Sequence, residues 1–258
     1  YPIPDFSKVS PELVISALGQ TFFTLSLAMG IMVTYGSYLQ KSTKLTSSVT
    51  QIAGTTFGVS LLAGLMIVPA TFAALGSGDA VAQNSGPSLM FIILPQVFEN
   101  LSGAATIIGV VFFVLVLFAA LTSSLSLVET CTSIISDGAG WSRKRSLIAT
   151  IVFVTLMGVL VNLGYSSLSF IQPMGEGSSI LDLLDFISNS VMMPIAALLT
   201  CVFVGWIIKP QTLIDEVRVS ARFRLANVWS VVIKYIAPVV LVIILIAYVA
   251  QTMGLFSM

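Results

Sequence analysis

The sequence predicts an all-α integral membrane protein of six transmembrane helices, the first of them broken in mid-membrane. Three observations predict it. The 258 residues are 57% hydrophobic and only 9% charged, where ordinary globular domains carry about 25% charged residues, and the mean hydropathy is +1.04. Apolar runs long enough to cross about 30 Å of hydrocarbon recur six times. The loops joining these runs alternate between basic and acidic. The same composition excludes other classes. Net charge is zero and no run of basic residues suggests nucleic acid. There is no His, which removes the usual imidazole base and the commonest metal ligand. Cys131 and Cys201 lie in separate apolar runs, so neither a disulfide framework nor a zinc site is suggested. Residues 1–12 are polar, with no basic stretch leading into an apolar one, so no signal peptide is expected. The chain does not begin with Met, and a fragment or a processed piece is the expectation.

The first span, residues 13–39, contains GQTFFTLSLAMGIMVTYG from Gly19 to Gly36. Ser26, Ala28 and Gly30 cluster at one depth, and Gly30 and Gly36 loosen the helix. An unpaired backbone group in lipid costs several kcal/mol, so a break here survives only if protein or a polar ligand satisfies it. A freed carbonyl can coordinate a cation, and a half-helix N-terminus can hold a carboxylate. The plainer alternative is a glycine used for close helix packing. Gln20 and Thr24 stand one turn apart in this span, as do Thr56 and Ser60 in the second span, 49–75. Two such pairs can form an ion pocket or can hydrogen-bond helix to helix. A shorter apolar piece, 88–101, cannot span; Pro95, Gly86-Pro87 and Ser102-Gly103 mark it as a bent helical loop packed on the protein.

The third span, 107–135, carries Thr122, Ser123, Ser124 and Ser126 at membrane depth. Ala119 and Ser123 lie one turn apart, so Thr122 and Ser123 can present hydroxyl oxygens beside the Ala119 carbonyl. Hard cations favour neutral oxygens of this kind. Equally, each hydroxyl can bond the carbonyl four residues back in its own helix. Glu129 and Asp137 lie toward the inner end of this span, and Glu129 is the more expensive placement, needing a partner or water. The fourth span is 147–163. The fifth, 180–208, has Asp185 near its outer mouth with Asp182 above it; the last is 228–252.

Lys41 and Lys44 follow the first span, Arg143, Lys144 and Arg145 the third, and Lys209, Arg218, Arg222 and Arg224 the fifth. The alternate loops hold Asp79, Glu99 and Glu176 and no Lys or Arg. Positive charge marks the cytoplasmic side, so both ends of the chain are expected outside. Gly76-Ser77-Gly78-Asp79 looks like the G-x-G-D of intramembrane aspartyl proteases, but it sits in an outer loop with no second transmembrane Asp in a matching context. Serine hydrolysis would lack a His base, and phosphate-cradling loops and metal motifs are absent. No enzyme is expected.

GQTFFTLSLAMG (19–30), LLAGLMIVP (61–69), LFAALTSSLSL (117–127) and the LDF at Asp185, in this order and spacing, resemble the neurotransmitter:sodium symporter family, and within it the bacterial amino-acid transporters. The resemblance runs from before the family's sixth helix to its eleventh. It implies the second inverted repeat of a LeuT-type 5+5 fold in residues 1–208, with 76–106 as an outer loop with short helices. A cytoplasmic connector and one further helix would follow in 209–258. It implies a sodium-coupled symporter of amino acids working by alternating access, multi-pass in the plasma (inner) membrane, of which this chain is the C-terminal half. The partners are then the amino-acid substrate, membrane lipid and the missing N-terminal five-helix half, in the same polypeptide or a separate chain.

Residue by residue, Thr24 matches the first sodium site and Thr56 stands where the family usually has Asn. Ala119 through its carbonyl, Thr122 and Ser123 match the second sodium site. Phe23 resembles the aromatic lid over the substrate, and Ser26, Met29, Ser123 and Leu127 match side-chain pocket positions. Asp185 matches the outer-gate carboxylate and Asp137 the inner-gate one. Gln20, Thr24 and Ser60 match chloride-site positions. Ser60 stands where chloride-independent relatives often carry an acid, so chloride dependence is expected beside Na+. Met29 replaces a common Phe, and a flexible thioether re-packs around side chains of different size. A broad hydrophobic or aromatic substrate range follows.

Overall fold

The structure, a computed structural model, describes residues 9–76, 89–99, 103, 105–175 and 177–252. Every regular element among them is a helix. They divide into two compact units, one holding 51–125 and the other 9–50 with 126–252. Lys8, Asp79, Glu176, the Gly86-Pro87 pair, Ser102, the GSGD stretch beyond Gly76 and both chain ends lie outside the described residues.

The first span is two helices. α1 (Pro11–Thr24) has 14 residues and α2 (Ile31–Ser37) has 7, so they are about 21 and 10 Å long. End to end they supply the length of one membrane crossing. α1 starts where the Ser10 hydroxyl accepts the Leu13 N–H at 3.2 Å, which satisfies a donor that the helix itself cannot. Among the described residues, five further helices are long and apolar enough to cross a membrane: α3 (Leu45–Leu75), α5 (Ala105–Ala139), α6 (Arg143–Gly164), α7 (Ile180–Ile208) and α9 (Ala226–Ala250). With the broken span they account for the six crossings expected.

Between α3 and α5, α4 (Leu94–Glu99) follows a wide turn at Leu89–Ile93. It buries Ile93, Leu94 and Val97. Phe98 meets Phe112 edge-on at 5.3 Å and Phe91 stacks on Phe113 at 6.2 Å. The short apolar piece is therefore a helical loop packed on the start of α5, as the sequence implied.

The helices outrun the apolar sequence at their polar ends. Arg143, Lys144 and Arg145 form the first turn of α6 rather than a loop. Cations in a first turn oppose the helix dipole; here all three are exposed and Arg143 is bonded to a carboxylate. α7 starts with a capping box in which Ser179 and Asp182 bond each other's backbone, so Asp182 is a helix-start residue.

Wide π turns occupy Leu89–Ile93, Phe186–Met192, Phe203–Ile208 and Val232–Ile236. Each ends two residues before a proline: Pro95, Pro194, Pro210 and Pro238. A proline lacks the N–H that would bond four residues back, and its ring crowds that carbonyl. Widening the preceding turn relieves the crowding. Pro69 inside α3 is tolerated without such a turn.

In the larger unit α9 packs along α7. Ala197, Cys201 and Leu241 form its buried centre, with Phe22 of α1 and Ala28 packed against them. The end of α6 meets the start of α7 at Gly164, where an added Cβ would lie 3.1 Å from that of Ile180.

Candidate functional site

The break between α1 and α2 is the centre of the site. Leu25 N–H reaches the Thr21 carbonyl at 3.1 Å, Ser26 N–H the Phe23 carbonyl at 2.9 Å and Leu27 N–H the Phe22 carbonyl at 3.0 Å. These close α1. Ser26, Ala28 and Gly30 then take positive φ values of 52°, 62° and 79°. The alternation turns the chain at every second residue and prevents a helical hydrogen-bond ladder. Helix resumes when Thr34 N–H reaches the Gly30 carbonyl at 2.9 Å. Among the described residues no hydrogen bond reaches the carbonyls of Thr24, Leu25, Ser26, Leu27, Ala28 or Met29. Six unbonded acceptors thus stand together between the two halves of a membrane span. Ser26 and Met29, expected in the substrate pocket, belong to this segment and are half-buried.

On the α1 side, Thr24 Oγ1 donates to the Gln20 carbonyl at 2.8 Å, which fixes the two residues on one face. A cavity of about 230 Å³ is lined by Gln20, Phe23, Asp185, Asn189, Met193 and Tyr248, among others. The expected aromatic lid and outer-gate carboxylate therefore share one cavity with Gln20. Asp185 accepts a hydrogen bond from the Asn189 amide, which the wide turn Phe186–Met192 carries round to it. Among the described residues no Lys or Arg pairs with Asp185.

On α5, Thr122 Oγ1 lies 3.0 Å from both the Phe118 and Ala119 carbonyls. The hydroxyl is turned onto its own helix, the packing alternative, and it lies beside the Ala119 carbonyl. Ser124 likewise donates to Ala120 at 2.7 Å. Ser123, one turn from Ala119, makes no such bond among the described residues. Ala119, Thr122, Ser123 and Leu127 are all exposed. Thr56 and Ser60 stand one turn apart on α3, in the unit formed by 51–125, whereas Gln20 and Thr24 belong to the other. Asp137, near the end of α5, is exposed.

The α2 side holds residues that the sequence did not single out. Tyr35 donates to Ser126 Oγ at 2.5 Å and Tyr38 to Glu129 Oε1 at 2.6 Å. Arg143 Nη2 donates to both oxygens of Glu129, at 2.9 and 2.7 Å. The costly placement of Glu129 is resolved by these two partners. Gly30 lies against α5, where a Cβ would meet Thr130 Cγ2 at 3.0 Å. The available signal was the three-residue spacing of Tyr35 and Tyr38, which puts both hydroxyls on one face of a helix.

Comparison with known proteins gives a consistent result. The family model of the sodium:neurotransmitter symporter family matches residues 1–256. The chain is 36% identical over 245 residues to YhdH of Bacillus subtilis (strain 168), described as an uncharacterized sodium-dependent transporter, covering 94% of this chain and 52% of that protein. An uncharacterized sodium-dependent transporter of Methanocaldococcus jannaschii is 33% identical over 257 residues, with coverages of 96% and 48%. The crystal structure of MhsT in complex with L-phenylalanine superposes with a TM-score of 0.82 at 33% identity, covering 95% of this chain and 54% of that one. The chain spans about half the length of the relatives it matches.

Proposed function

The chain belongs to the sodium:neurotransmitter symporter family, and on that premise we propose that the complete protein is a sodium-coupled symporter of hydrophobic and aromatic amino acids. This chain is its C-terminal half, from the sixth to the eleventh helix, with 1–208 as the second five-helix repeat. The observation that carries the reading is the row of six unbonded carbonyls between α1 and α2. Acceptors at membrane depth with no protein donor are stabilised by a ligand that brings positive charge or N–H groups. A sodium ion and an amino acid's ammonium group are such ligands.

In this reading the first sodium site uses Thr24 and Thr56, and the second uses the Ala119 carbonyl, Thr122 and Ser123. A hydroxyl that coordinates a cation must send its proton elsewhere, because the ion takes a lone pair. The bonds of Thr24 to Gln20 and of Thr122 to Phe118 do this and leave oxygen lone pairs for the ion. Thr56 offers a shorter ligand than an Asn amide, so its contact runs directly or through one water. Phe23, Ser26, Met29, Ser123 and Leu127 line the substrate side-chain pocket. The L-phenylalanine bound to MhsT supports an aromatic substrate. Asp185 serves as the outer-gate carboxylate, Asp137 as the inner-gate one, and Gln20, Thr24 and Ser60 hold chloride.

Sodium shifts the population only through its differential affinity for one arrangement of these oxygens. The chemistry is binding and release in a multi-pass protein of the plasma membrane, with both ends of this stretch outside. The test is binding of labelled L-phenylalanine to the complete protein with sodium or potassium as the cation, repeated with gluconate replacing chloride. Binding that requires sodium, weakens on the order of tenfold in Thr122→Ala and Ser123→Ala, and is competed by Leu and Trp supports the assignment. Binding indifferent to sodium, or competition by small polar amino acids alone, would overturn it. Equal binding in gluconate removes the chloride assignment only.

A further inference from the structure

Away from the broken span, a cavity of about 660 Å³ is lined by Lys44, Arg218, Ser220, Arg222, Phe223 and Arg224, among others. All of them belong to one compact unit. Its charge is unusually one-sided for a chain with only 11 basic residues, four of which converge here. Arg218 has a long contact of 3.9 Å to Asp215, and Asp215 also accepts from Gln211 at 2.8 Å. Among the described residues no carboxylate pairs with Lys44, Arg222 or Arg224. The cavity lining contains no acidic residue.

Position in the chain says where the charge lies relative to lipid. Lys44 directly precedes the span Leu45–Ala73, and Arg224 stands two residues before the span Ala226–Ala250. Two membrane crossings therefore start from the rim of this cavity, which puts it at the depth of the headgroups. Phe223, half-buried in the lining, packs against Trp229 at 5.9 Å, and aromatic side chains favour that depth. Guanidinium groups match the geometry of phosphate oxygens, donating N–H bonds to two at once. Unpaired basic groups between the inner ends of spans are the chemistry that holds an anionic headgroup.

We propose that this cavity binds the phosphodiester headgroup of an anionic phospholipid, with Arg222, Arg224 and Lys44 as its principal contacts and Arg218 as a fourth. The site is independent of the sodium and amino-acid assignments. It joins the link between α2 and α3 to the link between α8 (Pro210–Ser220) and α9, so bound lipid ties together two segments that are remote in sequence.

The test uses the complete protein in a neutral detergent, titrated with phosphatidylglycerol or phosphatidylcholine, with bound lipid counted by native mass spectrometry. Phosphatidylglycerol is expected to be retained in preference to phosphatidylcholine. Arg222→Gln with Arg224→Gln should weaken that retention on the order of tenfold, while Arg222→Lys with Arg224→Lys keeps most of it. Lys144→Gln with Arg145→Gln removes the same charge from another basic segment and should leave it unchanged. Thermal unfolding checks that each variant is folded; if the double Gln variant is not, Lys44→Gln carries the comparison. An equal loss in the Lys144/Arg145 variant makes the effect general surface charge and overturns the proposal. So does equal retention of the two lipids, or full competition by millimolar inorganic phosphate, which would make this a site for soluble anions.

Discussion

The two halves of the broken span are held in different ways. α1 is held by close apolar packing: Gly19 admits the Tyr248 ring of α9, and Phe22 rests on the Ala197, Cys201 and Leu241 centre. α2 is held by directional bonds to α5 and α6: Tyr35 to Ser126, and Tyr38 to a Glu129 that is also gripped by Arg143. Apolar contact changes gradually as surfaces slide, because each atom pair contributes only about 0.1–0.2 kcal/mol. The charge-assisted bond of Tyr38 to Glu129, at 2.6 Å, is either made or lost. α1 is therefore suited to small adjustments, and α2 to discrete ones. The residues between them, with their unbonded carbonyls, are where the two behaviours meet.

The junction itself gives the largest expected effect. Gly30 has φ of +79°, and a Cβ there would lie 3.0 Å from Thr130 Cγ2. Gly30→Val adds a β-branched side chain to a left-handed backbone and forces it into α5. A loss of about 3–4 kcal/mol of stability is expected. Gly36, in α2, has nothing within 4 Å of an added Cβ, so Gly36→Ala should be neutral or stabilising by up to about 1 kcal/mol. Thermal unfolding of the two variants side by side reads the contrast. If Gly30→Val is as stable as wild type, the junction is not pinned to α5 and the comparison of the two halves loses its pivot.

How much of this was legible in the sequence follows from the range of each interaction. The break was legible because Ser26, Ala28 and Gly30 cluster where an apolar helix would normally continue. That Ser26 and Ala28 share Gly30's positive φ was not, since local preference reserves that region for glycine and only the packing of the whole unit overrides it. The π turns have a signal in Pro95, Pro194, Pro210 and Pro238; Pro95 points to a bend already in the sequence, and the other three do not, because proline marks a helix end more often than a widened turn. The need of Glu129 for a partner was legible from its depth. Its partners were not: Tyr38 is 91 residues away and Arg143 is 14 away, and no linear period links them. The proposed gate and ion-site assignments rest on resemblance, and the side-chain bonds of Thr24 and Thr122 show why spacing alone does not separate packing from coordination.

A smaller effect is expected where α2 is latched. Tyr38→Phe removes the donor to Glu129 and keeps the ring, and Glu129→Gln weakens both of that carboxylate's bonds. Each should cost about 1–2 kcal/mol. Because the two changes remove a shared bond, the double variant should be less destabilised than the sum of the singles by about 1 kcal/mol. Strict additivity in unfolding experiments would mean that Tyr38 and Glu129 act separately, and α2 would then be packed like α1.

The smallest effect tests α1. In an open helix Gly→Ala stabilises by about 0.5–1 kcal/mol. At Gly19 that gain is opposed, because an added Cβ would overlap the Tyr248 hydroxyl. Gly19→Ala should therefore be neutral or destabilising by up to about 1 kcal/mol. Tyr248→Phe removes the obstructing oxygen but leaves ring carbons 3.1 and 3.2 Å from the added Cβ, so Gly19→Ala in that background should regain part of the ordinary helix-forming benefit. The quantity to measure is the difference between the two backgrounds, since Tyr248→Phe carries its own cost in either. Recovery in the Phe background identifies the contact as steric, with α1 held by fit. If Gly19→Ala is equally harmful with Phe at 248, the ring rather than the hydroxyl sets the spacing. If it is stabilising with Tyr at 248, α1 slides off α9 at no cost, and α1 is the looser of the two halves.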